Sequence, residues 1–193
     1  MRFAFKKKMK VVRLDENLTL NIVADAHASQ EKVREWHGRL ADAQGRAFEA
    51  IVEKVFRKKG FFTETRKIFY LQGNEVTEEQ TGYRLTDVDV LASNDKEGLF
   101  LIECKSAKKQ ISRSKLMQKV RNIEKIARYL SKKSENSLPI SSMIVGNCNK
   151  LDVIDVKRRA KMPIAVLSPK EFYQQYKKDL EGEPKWLFNS KSY

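Results

Sequence analysis

The sequence predicts an α/β fold in which a mixed β-sheet is flanked by helices, with a β-hairpin at the N-terminus. Residues 99–102 are apolar on both faces, which is typical of a strand covered by helices on each side. The short polar turn at 94–98 favours an antiparallel pair with the preceding strand. After residue 112, helical and strand-like segments alternate, which indicates parallel strands joined by helices.

The N-terminal hairpin is predicted from residues 2–26. Apolar and polar side chains alternate there on both sides of a polar turn at 15–17. We therefore expect an N-terminal hairpin or arm at 1–28 and the main domain at 29–193.

The first half of the main domain is predicted to contain one helical region and three strands. Apolar residues recur at helical spacing over 29–59, as one bent helix or two, and Gly60 provides a stop signal. The predicted strands are 61–71, 83–92 and 99–106. The polar segment 73–82 between the first two is expected to be a mobile loop.

The second half is predicted to alternate helices and strands. A helix begins near Ser112 or Ser114, either of which can cap it. Ser168 and Pro169 are typical of the first turn of a final helix that reaches about residue 180. Between them we expect a strand at 140–145, a short basic helix at 153–161 and a strand at 163–167.

The composition indicates an anionic partner. The formal net charge is +14 and the isoelectric point is about 9.7. The apolar runs are far shorter than the ~20 residues that a membrane-spanning helix needs, so no membrane partner is expected. The first ten residues lack the apolar core of a secretory signal. A charged surface without enzymatic activity would have the same composition.

The cysteines and histidines carry little chemical information. Cys104 and Cys148 stand apart in apolar surroundings, and His27 and His37 are not spaced like zinc ligands. We expect reduced thiols, as in a cytoplasmic protein.

Two carboxylates and one amine form the candidate catalytic group. Asp89 lies on one predicted strand, and Glu103 and Lys105 share a face at the end of the next. Carboxylate oxygens bind divalent cations, and a nearby ammonium orients a water or helps to deprotonate it. This group is the minimum for metal-assisted hydrolysis of a phosphodiester. An ordinary ion pair at a strand end has the same spacing, and Asp87 is an alternative to Asp89.

The segment containing these residues resembles the core of the PD-(D/E)XK nuclease superfamily, the fold of many restriction endonucleases and Holliday-junction resolvases. In that family an Asp on one strand and a Glu-X-Lys on the next form the catalytic centre. Asp89 matches the Asp, and residues 103–105 match the Glu-X-Lys. The sequence departs from the family pattern at 86–89, where Thr-Asp-Val-Asp replaces a Pro-Asp, and this leaves the choice between Asp87 and Asp89 open.

A second part of the resemblance lies upstream. Residues 45–61 are similar to the first core helix of the branch that contains modified-DNA restriction enzymes. Glu49 then corresponds to the helix-borne acid of the family, with Glu53 as the alternative. The combined resemblance covers about residues 45–170.

The resemblance implies a Mg²⁺-dependent DNA endonuclease with the catalytic residues Glu49, Asp89, Glu103 and Lys105, of which the three acids hold the metal. Mn²⁺ is the expected substitute for Mg²⁺. A role in defence or in a mobile element is expected, within a larger complex, and a homodimer is one way to cut both strands. The alternatives are a structure-selective or RNA-directed nuclease, such as a junction resolvase, and a binding protein that keeps the fold without catalysis.

Basic residues continue directly from the candidate site. Phosphate contacts made by lysine and arginine position a nucleic acid without reading its sequence. The residues that we expect to bind DNA are Lys108, Lys109, Arg113, Lys115 and Lys119.

Overall fold

The computed structural model describes residues 8–13, 19–24, 30–105, 110–133, 138–183 and 188. The strands are β1 (Lys8–Arg13), β2 (Thr19–Ala24), β3 (Phe62–Gln72), β4 (Glu75–Thr77), β5 (Tyr83–Asn94), β6 (Gly98–Cys104), β7 (Ile140–Val145) and β8 (Ile164–Leu167). The helices are α1 (Gln30–Lys58), α2 (Arg113–Lys133), α3 (Lys150–Arg159) and α4 (Pro169–Gln175).

Six strands form one mixed sheet in the order β4-β3-β5-β6-β7-β8. The strands from β4 to β6 pair antiparallel, whereas β6, β7 and β8 pair parallel through connections that contain α2 and α3. The predicted α/β fold with a mixed sheet is therefore confirmed. Parallel neighbours need a long crossover, and the helix-strand alternation after residue 112 supplies it.

The N-terminal hairpin is a separate two-stranded antiparallel sheet of β1 and β2. Its register pairs Lys8 with Ala24 and Arg13 with Thr19. The predicted turn residues 15–17 lie outside the described residues.

Helices cover both faces of the large sheet. On one face, α1 and α4 pack through residues such as Phe48, Val52 and Phe172. On the other face, α2 and α3 pack through residues such as Leu116 and Val156. Strand β6 contributes alternate side chains to the two clusters, which explains why the predicted strand is apolar in both directions.

Two details differ from the sequence-based expectation. The segment expected to be a loop contains strand β4, which continues β3 through a two-residue turn at Gly73 and Asn74, with Gly73 at φ 60°. A positive φ is easily adopted by glycine and is what such tight hairpins need. Helix α1 is one continuous helix, and its predicted stop at Gly60 is confirmed. The last α-helix ends at Gln175, before the expected residue 180.

Candidate active site

The site lies where β5 and β6 separate. Their ladder ends at the pair Val90 and Ile102, and the same register would next place Asp89 opposite Glu103. Instead, the backbone N–H of Cys104 donates to Asp89 Oδ2 at 2.6 Å. The Asp89 carboxylate therefore replaces a ladder bond, and this holds it beside the strand segment that carries Glu103.

Glu103 is almost completely enclosed, with 1% of its surface exposed. Its Oε2 accepts a hydrogen bond from Lys119 Nζ of α2, whereas its Oε1 is buried without a partner. Burial raises the pKa of Glu103 to about 7, the charge of Asp89 adds to this effect, and Lys119 and Lys105 oppose it. The Glu103 carboxyl thus has one oxygen without a hydrogen-bond partner, and with a pKa of about 7 it gains or loses its proton near neutral pH.

Asp89 is the second buried carboxylate, with 4% of its surface exposed. Burial raises its pKa, while the charge of Lys105 and the hydrogen bond from Cys104 act in the opposite direction. Asp87, the alternative from the sequence, is only partly buried and pairs with Arg84 at 3.2 Å. Of these two acids, Asp89 is the one brought to Glu103.

Lys105 is exposed, and its backbone N–H donates to Val145 O of β7 at 2.8 Å. Partial burial lowers the pKa of its amine, but the charges of Asp89 and Glu103 outweigh this effect, so the pKa lies above its usual value. A lysine with a raised pKa remains protonated at neutral pH. It therefore acts as a fixed positive charge and a hydrogen-bond donor, not as a base.

Gly146 allows the backbone around Lys105 to pack closely. A Cβ at this position would lie 2.6 Å from Ile111 Cδ1 and 3.3 Å from Lys105 Cβ. No larger residue fits there unless the pocket wall moves.

Glu49 is on α1 and pairs with Arg66 of β3, with 2.8 Å between Oε2 and Nε. Burial raises the pKa of Glu49, Arg66 opposes this, and the charge of Asp89 raises it further. Glu49 is thus within electrostatic range of the two strand acids. The alternative acid, Glu53, pairs with Arg57 at 2.6 Å.

Arg66 belongs to the site but is not predicted from the sequence. It is in the left-handed region, at φ 56°, and it occupies the β3 position that the register would pair with Asp89. Its pKa is raised by the hydrogen bond to Glu49 and also by the charge of Asp89. Arg66 therefore links the acid on α1 to the acids on the strands, and no local sequence pattern predicts this.

A pocket of about 420 Å³ opens beside Glu103. It lies between α1, the end of β6 and the start of α2, and its lining includes Gln44, Glu103, Lys105, Lys115 and Lys119. Gln44 is 3% exposed, and its Nε2 has no hydrogen-bond partner. Among the described residues, Gln44 Nε2 and Glu103 Oε1 are the two buried side-chain polar atoms without a partner, and both residues line this pocket.

The sequence contains a signal that could have identified Gln44. With Phe48, Ile51 and Val55 it occupies the apolar stripe of α1 at steps of four, three and four residues. An amide in a buried stripe is expected to have a partner, because an unpaired buried polar group is costly.

The residues predicted to bind DNA are in different situations. Lys119 bonds Glu103, Lys115 lines the pocket, and Arg113 is held by Asp155 at 2.5 Å. Lys108 and Lys109 lie outside the described residues.

The candidate ligands for a divalent cation are the carboxylates of the site. Within the described part of the chain there is no group of three or more His, Cys, Asp or Glu side chains placed to hold a metal together, so Glu49 does not complete a three-acid set. Two buried carboxylates remain, with Glu103 Oε1 free. A pair of hard oxygen donors suits Mg²⁺, which keeps several of its waters when it binds to proteins.

No helix within the described ranges is both long enough and apolar enough to cross a membrane.

Comparison with known proteins gives a match that covers the site. The family model of the Mrr catalytic domain, described as restriction endonuclease, matches residues 40–130. The matched segment contains Gln44, Glu49, Asp89, Glu103, Lys105 and Lys119. No curated protein matches the sequence. Residues 40–130 therefore match a restriction endonuclease family that is part of the PD-(D/E)XK nuclease superfamily.

Proposed function

We propose that the protein is a metal-dependent endonuclease that hydrolyses phosphodiester bonds in DNA. The observation that carries the proposal is the juxtaposition of two buried carboxylates, one with an unused oxygen, and a protonated lysine beside an open pocket. Two acids buried together are destabilising unless a cation joins them. The high positive charge of the chain suits a polyanionic substrate.

Asp89 and Glu103 would hold Mg²⁺, with Mn²⁺ as its substitute. When bound, the ion would activate a water and neutralise charge on the phosphate. Lys119 holds Glu103 Oε2, so that Oε1 is left for the cation. Lys105 orients the attacking water and stabilises the charge that develops on the phosphate oxygens. Glu49, held by Arg66, adds negative potential beside the two ligands and orients a water.

Gln44 has a separate role in this proposal. Its Nε2 is a buried donor without an acceptor in a pocket that Glu103 also lines. A non-bridging phosphate oxygen would satisfy it. The amide would thereby place the phosphodiester against the ligand pair.

The test is a cleavage assay in Mg²⁺ or Mn²⁺ on linear duplex DNA, a four-way junction, single strands and RNA. We expect linear duplex to be cut. Lys105→Ala should abolish cleavage and leave DNA binding in Ca²⁺ largely intact, because the lysine acts on the developing charge. Lys96→Ala is the matched control, since Lys96 is exposed in the turn at the opposite end of β6. Undiminished cutting by Lys105→Ala would refute the assigned role.

The biological setting is also a proposal. A role in defence or in a mobile element rests on the resemblance to modified-DNA restriction enzymes. A homodimer would place two centres on the two strands of a duplex. Sedimentation of the chain with and without duplex DNA tests this arrangement.

A further inference from the structure

Helix α2 carries a row of four exposed basic residues. They follow one another at steps of four, three and four residues, so they lie on one face, opposite the buried face of the helix. The side chains of the four make no hydrogen bond or ion pair with another described residue. We call them the α2 basic row: Arg121, Lys125, Arg128 and Lys132.

The row has no structural explanation within the described part of the protein. Three other cations on α2 have acidic partners: Arg113 pairs with Asp155, Lys119 with Glu103 and Lys133 with Glu78. Like charges three and four residues apart destabilise a helix. An anion outside the chain would reverse that effect.

Three members of the row line a second pocket. This pocket has a volume of about 430 Å³ and lies between the edge strand β4 and the last turns of α2. Lys125, Arg128 and Lys132 line it together with Lys133, and Glu75 is the acidic side chain in the lining. Lys133 is paired with Glu78, so three cations of the row against one carboxylate make it a pocket for an anion.

The second pocket lies along the same helix as the candidate active site. Lys115 lines the active-site pocket and Lys133 lines the second pocket. These residues are 18 positions apart, which corresponds to about five helical turns and about 27 Å along the axis. They therefore lie on the same flank of α2, and an extended ligand that follows this flank reaches both pockets.

We infer that the α2 basic row and the second pocket bind the phosphate backbone of duplex nucleic acid beside the bond that is cut. This inference rests on the proposed nuclease function for the position of the cut. The row extends over about 16 Å at 1.5 Å per residue, and this length corresponds to about five base pairs at 3.4 Å each. Contacts of this kind position a duplex without reading its sequence.

The test compares two triple variants that lose the same charge. Lys125→Gln, Arg128→Gln and Lys132→Gln remove the part of the row that lines the second pocket. Lys170→Gln, Lys177→Gln and Lys178→Gln form the control. The control residues are exposed lysines on and just after α4, which packs on the opposite face of the sheet. Thermal unfolding of both proteins checks that they are folded.

Binding of a 24-base-pair DNA duplex is measured in Ca²⁺ over a series of salt concentrations. Each phosphate contact contributes about 0.9 to the slope of log K against log salt. The row variant should therefore lower that slope by two to three and weaken binding at least tenfold. The control should change affinity less than twofold. Equal effects of the two variants would overturn the inference.

A second arm uses phosphatidylserine vesicles. If the row variant binds the duplex normally and loses vesicle binding, the surface serves a membrane and the inference is wrong. Because binding is measured without hydrolysis, the two proposals fail separately. If the parent never cuts in Mg²⁺ or Mn²⁺ but the row variant still weakens DNA binding and lowers its salt dependence, only the proposed hydrolysis is rejected. If the parent cuts DNA normally and the row variant leaves the salt dependence of binding unchanged, only the inference about the α2 basic row is rejected.

Discussion

Replacing Glu103 by glutamine should stabilise the metal-free protein at alkaline pH. Folding raises the pKa of this carboxyl from its ordinary value of 4.5 to about 7, chiefly by burial. Between these two values the unfolded chain has released the proton and the folded chain still holds it. Stability therefore decreases as the pH rises through this interval, and it is lowest above pH 7.

The magnitude follows from the two pKa values. At 1.36 kcal/mol for each pKa unit, the raised pKa of Glu103 lowers the free energy of unfolding by about 3 kcal/mol at pH 8 and by about 1 kcal/mol at pH 5. Glutamine keeps the shape and carries no charge, so the variant lacks this loss. The stability difference between the variant and the parent should thus widen by about 2 kcal/mol from pH 5 to pH 8. Effects that do not depend on pH cancel in this comparison.

Urea unfolding in EDTA at the two pH values measures the difference. Glu97→Gln is the matched control, because Glu97 is exposed in the turn before β6. If Glu103→Gln differs from the parent by the same free energy of unfolding at both pH values, the burial argument is refuted. It is also refuted if the difference between Glu97→Gln and the parent grows equally with pH. Saturating Mg²⁺ at pH 8 should stabilise the parent by about 3 kcal/mol at 100 times its Kd, and should leave Glu103→Gln unchanged.

Two further substitutions test the pocket. Gln44→Ala should lower the cleavage rate about tenfold to a hundredfold, since one donor to the phosphate is lost. Its thermal stability should change little, because Nε2 has no partner to lose; a large loss of stability at an unchanged rate would contradict this role. Gly146→Ala should destabilise the protein by at most about 1 kcal/mol, since the end of the Ile111 side chain can move away, and should slow cleavage by displacing Lys105. An unfolding free energy equal to that of the parent protein would exclude the clash.

Periodic features of the fold could be predicted from the sequence because each reflects a local rule. The apolar run at 140–145 corresponds to β7 residue for residue, and Ser168 caps α4 through a capping box with Glu171. The turn at 94–98 joins antiparallel strands as expected. These elements are determined by spacing and by turn and cap residues within a few positions of one another.

The missing parts of the site depend on contacts between distant segments. Lys119 was predicted to contact DNA, and its bond to Glu103 of another element has no local signal. The pairing of Arg66 with Glu49 needs a left-handed backbone inside β3, which the residue type does not indicate. Strand β4 was missed because three residues are too few to show a period.

The three structural layers each contribute to one reaction centre. Gln44 comes from one helical layer, Glu103 from the sheet and Lys119 from the opposite helical layer. A chain in which either layer has not yet docked cannot present the complete set of groups. Under the proposed function, a molecule with an undocked helical layer is thus expected not to cut DNA, because the candidate site is complete only in the fully folded domain.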